Sequence, residues 1–574
     1  MTSAALPPHL TSSSVRTGVV VITTIGAVAL AFRLSVIVAL PTLPASDEVG
    51  YLQDGLLLLE GLPLGYKFAP SAAITWLVTL FAGLQTAVVW LFGTADPSTP
   101  PLLRPLAAMD RVLFTHYADL TSMRWFVLAA QLVVGSVAAA GTAWSGYRAA
   151  GVSGAVAAGL LAAGLPVFVE FGAQARPYSF AWSLALLSFA AVFTLEGRAK
   201  VIVGGTLIGL AMATRIDMAT CLPILVLEVA FAHPTRRLRA AAVFIGVATL
   251  GFCVAAPWYV TSLAGNLRQI LDIRFLLAPE TRLGPAQVIL SMFKAGIGLP
   301  LFAVLLALGI SGVARRKWQH FAYAGWVGLL TALALRQSVG GVRHDGALFV
   351  LVVALSPLAL SAMLTCLPAP RVNQLAVWLA ACLFGLSALA IGIPATELYR
   401  QQVIPGSVVE WLEKHVPAGT TIYLTDTFAV PLPTEESAEA LWAEVTRPDA
   451  WHAKFARAAR RLNLRGDRLP PRAMSEDPMQ FERALRRRWF ILGAPLAVSR
   501  PRYDIRIVGV GSAFSVPLET AIDRLCKEGG AYIHTGLPID RLGPPKIDWR
   551  SPDGQVLSVY AIEPASSANS APRC

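Results

Sequence analysis

The chain has 574 residues, of which 55% are hydrophobic and 14% are charged, and its mean hydropathy is +0.59. Soluble globular proteins carry about 25% charged residues, so this composition excludes a wholly soluble protein. The net charge of +12 comes without a basic stripe interleaved with aromatic residues, which argues against nucleic-acid binding. Basic residues at cytoplasmic helix ends and at sites for anionic lipid explain the excess better.

Charge divides the chain into two parts. Residues 1–399 hold 24 Lys or Arg and 15 Asp or Glu, whereas residues 400–574 hold 23 and 20. The first part is therefore poor in charge, and the second has the balance of a soluble domain. We expect a transmembrane domain over 1–399 and a soluble domain over 400–574, with the boundary near Glu397 to Ile404.

Apolar runs long enough to cross a membrane, about 20 residues each, fill the first part. The run from Val19 to Leu40 lacks a small-residue cleavage pattern, so we interpret it as a signal anchor. The candidate spans are 17–41, 70–93, 123–145, 152–170, 177–196, 201–214, 218–232, 240–262, 286–313, 321–336, 346–366 and 374–394.

Basic clusters orient these runs, because Lys and Arg are enriched in cytoplasmic loops. The clusters at 198–200, 236–239 and 315–317 are separated from one another by two candidate spans each, so all three are predicted to be cytoplasmic. The last span then delivers the C-terminal domain to the external side.

The first external loop, at about residues 44–122, raises one conflict with this assignment. Both of its ends are predicted to be external, so run 70–93 cannot be a simple span. We expect an interfacial or re-entrant helix there, which leaves about 11 spanning helices. The alternative is a hidden span within 94–122, but the charged residues of that stretch make it costly.

Short apolar strands alternate with helices in the C-terminal part, which predicts a small α/β domain. No Gly-rich phosphate loop opens a helix there, so nucleotide binding has little support. The predicted strands are 421–424, 489–492, 503–510, 531–534 and 556–562, and the predicted helices are 408–415 and 518–526.

The six cysteines lie far apart in the sequence, and four of them fall inside apolar spans. Their spacing matches neither a zinc site nor a disulfide framework. We expect them to be small buried hydrophobic residues.

Two short polar segments follow the first span. The adjacent carboxylates Asp47 and Glu48 can be a plain acidic exit loop, or Asp47 can act as a general base. Glu48 would then either hold the acceptor or raise the basicity of Asp47 through like-charge coupling. Lys67 lies between Tyr66 and Phe68. It can be a lysine that snorkels within an aromatic belt, or a cation that stabilises an anionic leaving group.

Many cationic side chains share the predicted external face with Asp47. Ionisable residues at membrane depth usually face a cavity, and a cavity with few carboxylates and many arginines suits a phosphate-bearing lipid. These cations are Lys67, Arg124, Arg176, Arg215, Arg268, Arg274, Arg282, Arg343 and His344.

The order of these motifs resembles the GT-C membrane glycosyltransferases, in particular the protein O-mannosyltransferase and lipid A aminoarabinose transferase group. The resemblance covers most of residues 17–395 and rests on order, since each motif is short. The acidic pair is followed by YKFAP (Lys67 to Pro70), where the mannosyltransferases carry His-Pro-Pro. An arginine then opens the next span, and either Arg104 or Arg124 matches it, with Arg124 favoured by position.

Three later segments continue the resemblance. EFGAQARPYSF supplies Arg176 and Tyr178, and ATRIDMATCLP supplies Arg215 and Asp217 at a polar break between two half-length helices. RHDGALFVLVVALSPLAL resembles a late Arg-aromatic helix start, although His344 stands where the family usually has Tyr.

The composition, the strand pattern and the resemblance together predict a polytopic α-helical membrane protein of the GT-C type with a C-terminal periplasmic α/β domain, in the bacterial inner membrane. The resemblance does not extend to the C-terminal domain, although several members of the family carry a periplasmic one. It implies an inverting transfer of one sugar from a polyprenyl phosphate to a glycan, lipid or protein acceptor. Asp47 would be the base and Glu48 its helper, with acceptor contacts from Tyr51 and Asp217. The residues expected to bind the donor phosphate are Lys67, Arg124, Arg176, Tyr178, Arg215, Arg343 and His344.

No cofactor is required by this scheme, although Asp47 with Glu48 could bind a divalent cation, because hard cations prefer oxygen ligands. A transporter or flippase for lipid-linked sugars is the main alternative. It would share the cavity and the cations, but it should place ionisable residues near the middle of its spans and often shows internal repeats. A scaffold whose external domain recruits partners is a further alternative.

Overall fold

Helices make up the described residues as far as Cys366, and a β-sheet with one helix makes up most of those after Thr420. The structure, a computed structural model, describes residues 12–38, 46–59, 71–92, 105, 108–109, 112, 116, 121–261, 284–294, 296–337, 346–366, 411, 414–417, 420–425, 504–508, 515–516, 518–535, 539–550 and 556–562.

The helices follow the apolar runs of the sequence closely. They are α1 (Ser12–Val38), α2 (Ser46–Leu59), α3 (Ala72–Phe92), α4 (Thr121–Gly164), α5 (Pro166–Gly172), α6 (Pro177–Thr194), α7 (Gly197–Thr214), a 3-10 helix (Ile216–Cys221), α8 (Leu222–Ala232), α9 (Arg237–Ala255), α10 (Pro257–Val260), α11 (Pro285–Lys294), α12 (Gly298–Ala314), α13 (Trp318–Gln337) and α14 (Gly346–Cys366).

Six helices of the described part are long and apolar enough to cross a membrane, or seven if the bent pair α11 and α12 is one span. This confirms a polytopic α-helical membrane protein. The count of about 11 spans stays a prediction, because run 374–394 lies outside the described residues. Helix α3 meets the same length and composition criteria, so whether it spans or lies in the interface also stays open to test. The six are Arg16–Ile37, Ala72–Phe92, Ser122–Gly164, Pro177–Thr194, Arg237–Ala255 and Gly346–Met363.

Helix α4 is two helices joined by a sharp turn, as the two separate runs 123–145 and 152–170 predict. Gly151 makes the turn with φ of 67° and ψ of −153°, a conformation that only glycine adopts without strain. Gly146 and Gly154 then bring the two backbones together, since a Cβ on Gly146 would overlap the Gly154 carbonyl. Small residues therefore close this helical hairpin.

The core of the bundle takes its largest shares of buried residues from α6 and α14, and other helices pack around them. Its largest fully buried side chains are aromatic, among them Trp182, Phe189, Phe244 and Phe349. Glycines of α7 allow close packing: a Cβ on Gly209 would overlap the Ala248 carbonyl of α9. Close backbone approach of this kind is the usual way in which helices associate within a membrane.

The C-terminal strands form one six-stranded sheet in the order β3-β2-β1-β4-β6-β5. The first four are mutually parallel, whereas β6 is antiparallel to both β4 and β5. Helix α15 (Leu518–Glu528) packs Ala521 and Leu525 against tyrosines of the sheet. The strands are β1 (Thr421–Thr425), β2 (Asp504–Val508), β3 (Ser515–Val516), β4 (Gly530–Thr535), β5 (Ile547–Arg550) and β6 (Val556–Ile562).

Four of the five predicted strands are found within a few residues of their expected positions, and 489–492 lies outside the described residues. Strands β3 and β5 were not predicted, because β3 has only two residues and β5 (IDWR) carries charged residues at alternate positions. The periplasmic location of this sheet stays a prediction.

One cysteine departs from the expectation of small buried hydrophobic residues. Cys221 and Cys253 are free, as expected, but Cys526 of α15 is disulfide-bonded. Its partner is not among the side chains that the structure describes. Spacing along the sequence could not show this bond, because disulfide pairing depends on proximity in space.

The chain divides into two compact units. One comprises residues 1–40, 67–74 and 127–396, and the other comprises residues 41–66, 75–126 and 397–574. The predicted boundary of 399/400 between a membrane domain and a soluble domain stays a prediction, because the second unit also includes most of the first loop.

Candidate functional site

Helix α2, which carries Asp47, buries one face that contains Glu48. Residues 48, 51, 52 and 55 follow the i, i+3, i+4, i+7 spacing of one helical face. Tyr51 and Leu52 are buried on it, and Gly55 lies against Val78 of α3. Thr79 of α3 donates a hydrogen bond to the Gly55 carbonyl at 2.9 Å. The helix is therefore held by its buried face.

An ion pair between Glu48 and Arg124 anchors this face. The Arg124 Nε donates to both carboxylate oxygens of Glu48 at 3.2 Å, and both side chains are 0% exposed. The structure thus brings together two of the residues that the sequence singled out. Because Arg124 compensates the charge of Glu48, it offsets the like-charge coupling to Asp47 that the sequence suggested.

Arg215 occupies the polar break between α7 and α8, where the resemblance placed it. Its Nε and Nη2 donate to the two carboxylate oxygens of Asp217 at 3.0 and 3.2 Å. Its guanidinium also lies over the ring of Tyr178, with 3.9 Å from Cζ to the ring centroid. Planar pairing and ring stacking together fix the orientation of a guanidinium, which suits it to a phosphate.

Tyr178 is in turn held by an aromatic cluster. Phe171 packs on it at 4.6 Å between ring centroids, and Trp182 meets it edge-on at 5.7 Å. Trp182 also contacts Phe168 and Phe349 edge-on. The stacked position of Arg215 therefore rests on rigid, buried rings.

The segment that contains Lys67 leads directly to this site. Ser71 donates its backbone N–H to the carbonyl of Thr214 at 3.1 Å, and Thr214 immediately precedes Arg215. Ser71 has a left-handed φ of 53°, a strained conformation of the kind that clusters at functional sites. Lys67 precedes Ser71 by four residues in the chain.

The segment that contains Arg343 and His344 leads to the same cluster. Gly346 opens α14 so close to Trp182 that a Cβ on Gly346 would overlap the indole Nε1. His344 precedes Gly346 by two residues in the chain. The side chains of Lys67, Arg343 and His344 themselves lie outside the described residues, as does that of Asp47.

Arg176 forms the N-terminal cap of α6, just before Pro177. It is 5% exposed, and its backbone carbonyl accepts a hydrogen bond from Nε2 of Gln131 at 2.7 Å. Two buried cationic residues, Arg124 and Arg176, thus lie at the start of membrane helices. The positive end of a helix dipole adds to the attraction of such a position for anions.

Sequence reasoning missed Gln131, Ser71 and Asp54. Gln131 and Asp54 are about 1% exposed, and Asp54 lies two turns after Asp47 in α2. A signal for Gln131 did exist, since an amide inside an apolar span needs a polar partner. The residue types of these segments do not predict the backbone hydrogen bond from Ser71 to Thr214.

The acidic pair Asp47 and Glu48 is the predicted site for a divalent cation. In the part of the chain that the structure describes, no three His, Cys, Asp or Glu side chains form a group that could hold a metal ion. Both oxygens of Glu48 already accept from Arg124. A divalent cation at Asp47 and Glu48 therefore stays a prediction.

No protein-family model matches the sequence, and no curated protein matches it. Among solved structures, the chain is similar to apo ArnT from Cupriavidus metallidurans, with a TM-score of 0.48, 12% identity, and coverage of 95% of this chain and 98% of ArnT. For the same ArnT bound to undecaprenyl phosphate, the TM-score is 0.42 and the identity is 15%, with coverage of 95% of this chain and 97% of ArnT. For the Archaeoglobus fulgidus oligosaccharyltransferase in complex with Zn and sulfate, the TM-score is 0.40 and the identity is 15%, with coverage of 76% of this chain and 66% of the oligosaccharyltransferase.

Proposed function

We propose that the protein is an inverting glycosyltransferase of the GT-C type. It transfers one sugar from a polyprenyl-phosphate donor to an acceptor on the external side of the membrane. The observation that carries this proposal is the preorganised Arg215, which is stacked on Tyr178 and paired with Asp217 at a break between membrane helices. Ser71, four residues after Lys67, donates its backbone N–H to the carbonyl of Thr214, the residue before Arg215. Gly346, two residues after His344, lies against Trp182, which contacts Tyr178.

In the proposed reaction Asp47 takes the proton of an acceptor hydroxyl while the hydroxyl oxygen attacks the anomeric carbon. The bond from that carbon to the phosphate oxygen breaks, and the polyprenyl phosphate leaves as an anion. Cations placed where this charge develops stabilise the transition state without a metal. We assign that task to Arg215, Arg176, Lys67 and the Arg343-His344 pair.

Glu48 and Arg124 support the reaction by holding α2, because their buried pair fixes the helix on which Asp47 lies. Tyr51 and Asp217 remain our candidates for acceptor contacts. A single displacement with one base inverts the configuration at the anomeric carbon, since no second carboxylate acts as a nucleophile.

Two observations support an external position for the C-terminal sheet. Cys526 is disulfide-bonded, and disulfides persist in oxidising compartments such as the bacterial periplasm. The sheet also belongs to the same compact unit as the loop that carries Asp47. Both support a protein of the bacterial inner membrane whose chemistry takes place outside the cytoplasm.

A flippase for lipid-linked sugars is the second candidate. The break between α7 and α8 is the observation that is also compatible with a flippase. Transporters often bind substrates at discontinuous membrane helices. The same cations would then bind the phosphate of a lipid during its passage across the membrane.

One experiment separates the two. Purified protein is reconstituted into vesicles with radiolabelled polyprenyl-phosphate sugars and a membrane extract as acceptor, with and without a chelator. Transfer of label to a new acceptor, unchanged by the chelator, supports the metal-independent transferase. Passage of intact labelled lipid across the vesicle without transfer contradicts the transferase and supports the flippase. If neither occurs, both proposals fail and the scaffold is favoured.

A further inference from the structure

Arg33 is a charged residue inside the first candidate membrane span. It lies in α1 and is 5% exposed. Its Nη2 donates to the Ala162 carbonyl at 3.2 Å, while Nε and Nη1 have no hydrogen-bond partner among the described residues. A buried charge with so little compensation is costly, so its retention calls for a specific reason.

The chemistry of Pro166 supplies that reason. Within a helix, the carbonyl of Ala162 would accept from the N–H of residue 166, but proline has no N–H. The preceding helical hydrogen bond is present: the Leu165 N–H donates to the Leu161 carbonyl at 3.1 Å. The Ala162 carbonyl is thus the acceptor that the proline leaves without its helical donor, and Arg33 donates to it instead.

The space around the guanidinium is shaped for this contact. A Cβ on Gly135 of α4 would overlap Nη1 of Arg33, so the guanidinium lies directly against the backbone of α4. The unpartnered nitrogens are fully covered by protein atoms. This packing argues against a ligand anion at Arg33 and favours a contact within the protein.

We infer that Arg33 is a positioning residue, which supplies the donor that Pro166 lacks and thereby fixes the external end of α1 against the end of α4. Helix α5 starts at Pro166, and its Phe171 packs on Tyr178 at 4.6 Å between ring centroids. Fixing the end of α4 therefore limits where Tyr178 and the Arg215 guanidinium stacked on it can lie. The functional part of this inference rests on the proposed transferase, whereas the structural part does not.

The test is a mutant cycle in the full-length protein. Arg33→Met removes the donor and keeps an unbranched apolar stem, Arg33→Lys keeps a donor, and Pro166→Ala restores the backbone N–H. Arg16→Met, at an exposed position of the same helix, is the matched control. Thermal unfolding in detergent and the kcat and donor KM of transfer are measured for each variant and for the double variant Arg33→Met with Pro166→Ala.

We expect Arg33→Met to lower the unfolding temperature and to lower kcat about tenfold or more, because a displacement of about 1 Å at a reacting centre costs on the order of 100-fold. The donor KM should stay within about twofold. Arg33→Lys should retain most of the kcat. In the Pro166→Ala background, both losses should shrink to less than half.

Other results would overturn the inference in distinct ways. Equal losses in both backgrounds, including failure to fold in both, would show that Arg33 does not act through the Ala162 carbonyl. A lower unfolding temperature with unchanged kcat would remove the positioning role, and a large rise in donor KM would indicate an anion-binding residue. If the wild type transfers no sugar, the proposed function fails. The unfolding temperatures would still show whether Arg33 stabilises the protein through the Ala162 carbonyl.

Discussion

At the scale of single residues, the guanidinium of Arg215 is held by a ring on its face and a carboxylate at its edge. We predict that Arg215→Gln lowers kcat/KM for the donor about 100-fold or more, because a preorganised charge is lost from the leaving group. Tyr178→Phe should stay near wild type, since the ring remains, whereas Tyr178→Leu should lose activity. Steady-state transfer kinetics measure all three.

The control for Arg215 is Arg239→Gln, at an exposed position of a basic cluster predicted to be cytoplasmic. Its kcat/KM should equal that of the wild type. A wild-type value for Arg215→Gln would remove Arg215 from the phosphate site.

The ion pair of Glu48 and Arg124 makes a separate prediction about stability. Glu48→Gln removes one charge of a fully buried ion pair, which should lower the unfolding free energy by about 3–5 kcal/mol. Replacing both, as Glu48→Leu with Arg124→Met, should cost much less than the sum of the single changes. Denaturant unfolding of the four proteins measures the coupling, and additive losses would argue against the pair.

The exposed ion pairs of Arg541 with Glu519 and with Asp523 serve as a comparison for the stability that the buried pair contributes. Ion pairs in contact with solvent contribute little, because solvent screens them and their long side chains lose rotamer entropy. Arg541→Gln should therefore leave the stability almost unchanged.

At the scale of elements, the hairpin within α4 depends on glycines for two different reasons. Gly151→Ala should destabilise by about 1–3 kcal/mol through backbone strain alone, because nothing lies near its Cβ position. Gly146→Ala should also destabilise, but through overlap with the backbone of Gly154. Gly83→Ala, in open space within α3, should be neutral or stabilising. Thermal unfolding ranks the three, and a stabilised Gly146→Ala would contradict the close approach.

The elements were readable from the sequence because apolar runs and alternating strands are local patterns. The polar break at Arg215 and Asp217 was likewise visible between two apolar runs. The pairings were not, since Glu48 and Arg124 lie 76 residues apart and Arg33 and Ala162 lie 129 apart. Only packing shows that the charge of Glu48 is compensated, or that Arg33 replaces a missing N–H.

At the scale of the whole molecule, the disulfide of Cys526 makes a prediction about sidedness. An alkaline phosphatase fused to the C-terminus should be active, because that enzyme needs an oxidising compartment to form its own disulfides. Wild-type protein should change its gel mobility on reduction, and Cys526→Ser should abolish that change, whereas Cys253→Ser should not. An inactive fusion would place the sheet in the cytoplasm and contradict the proposed side of the reaction.

The most direct test of the whole account is the rate of sugar transfer from a polyprenyl-phosphate donor by Asp47→Asn. Asp96→Asn, a change of another acidic residue of the predicted first loop, is the control. The account predicts a loss of about 100-fold to 10,000-fold in kcat for Asp47→Asn, because a general base contributes that much. The donor should still bind. Transfer by Asp47→Asn at the rate of the control would contradict the central claim.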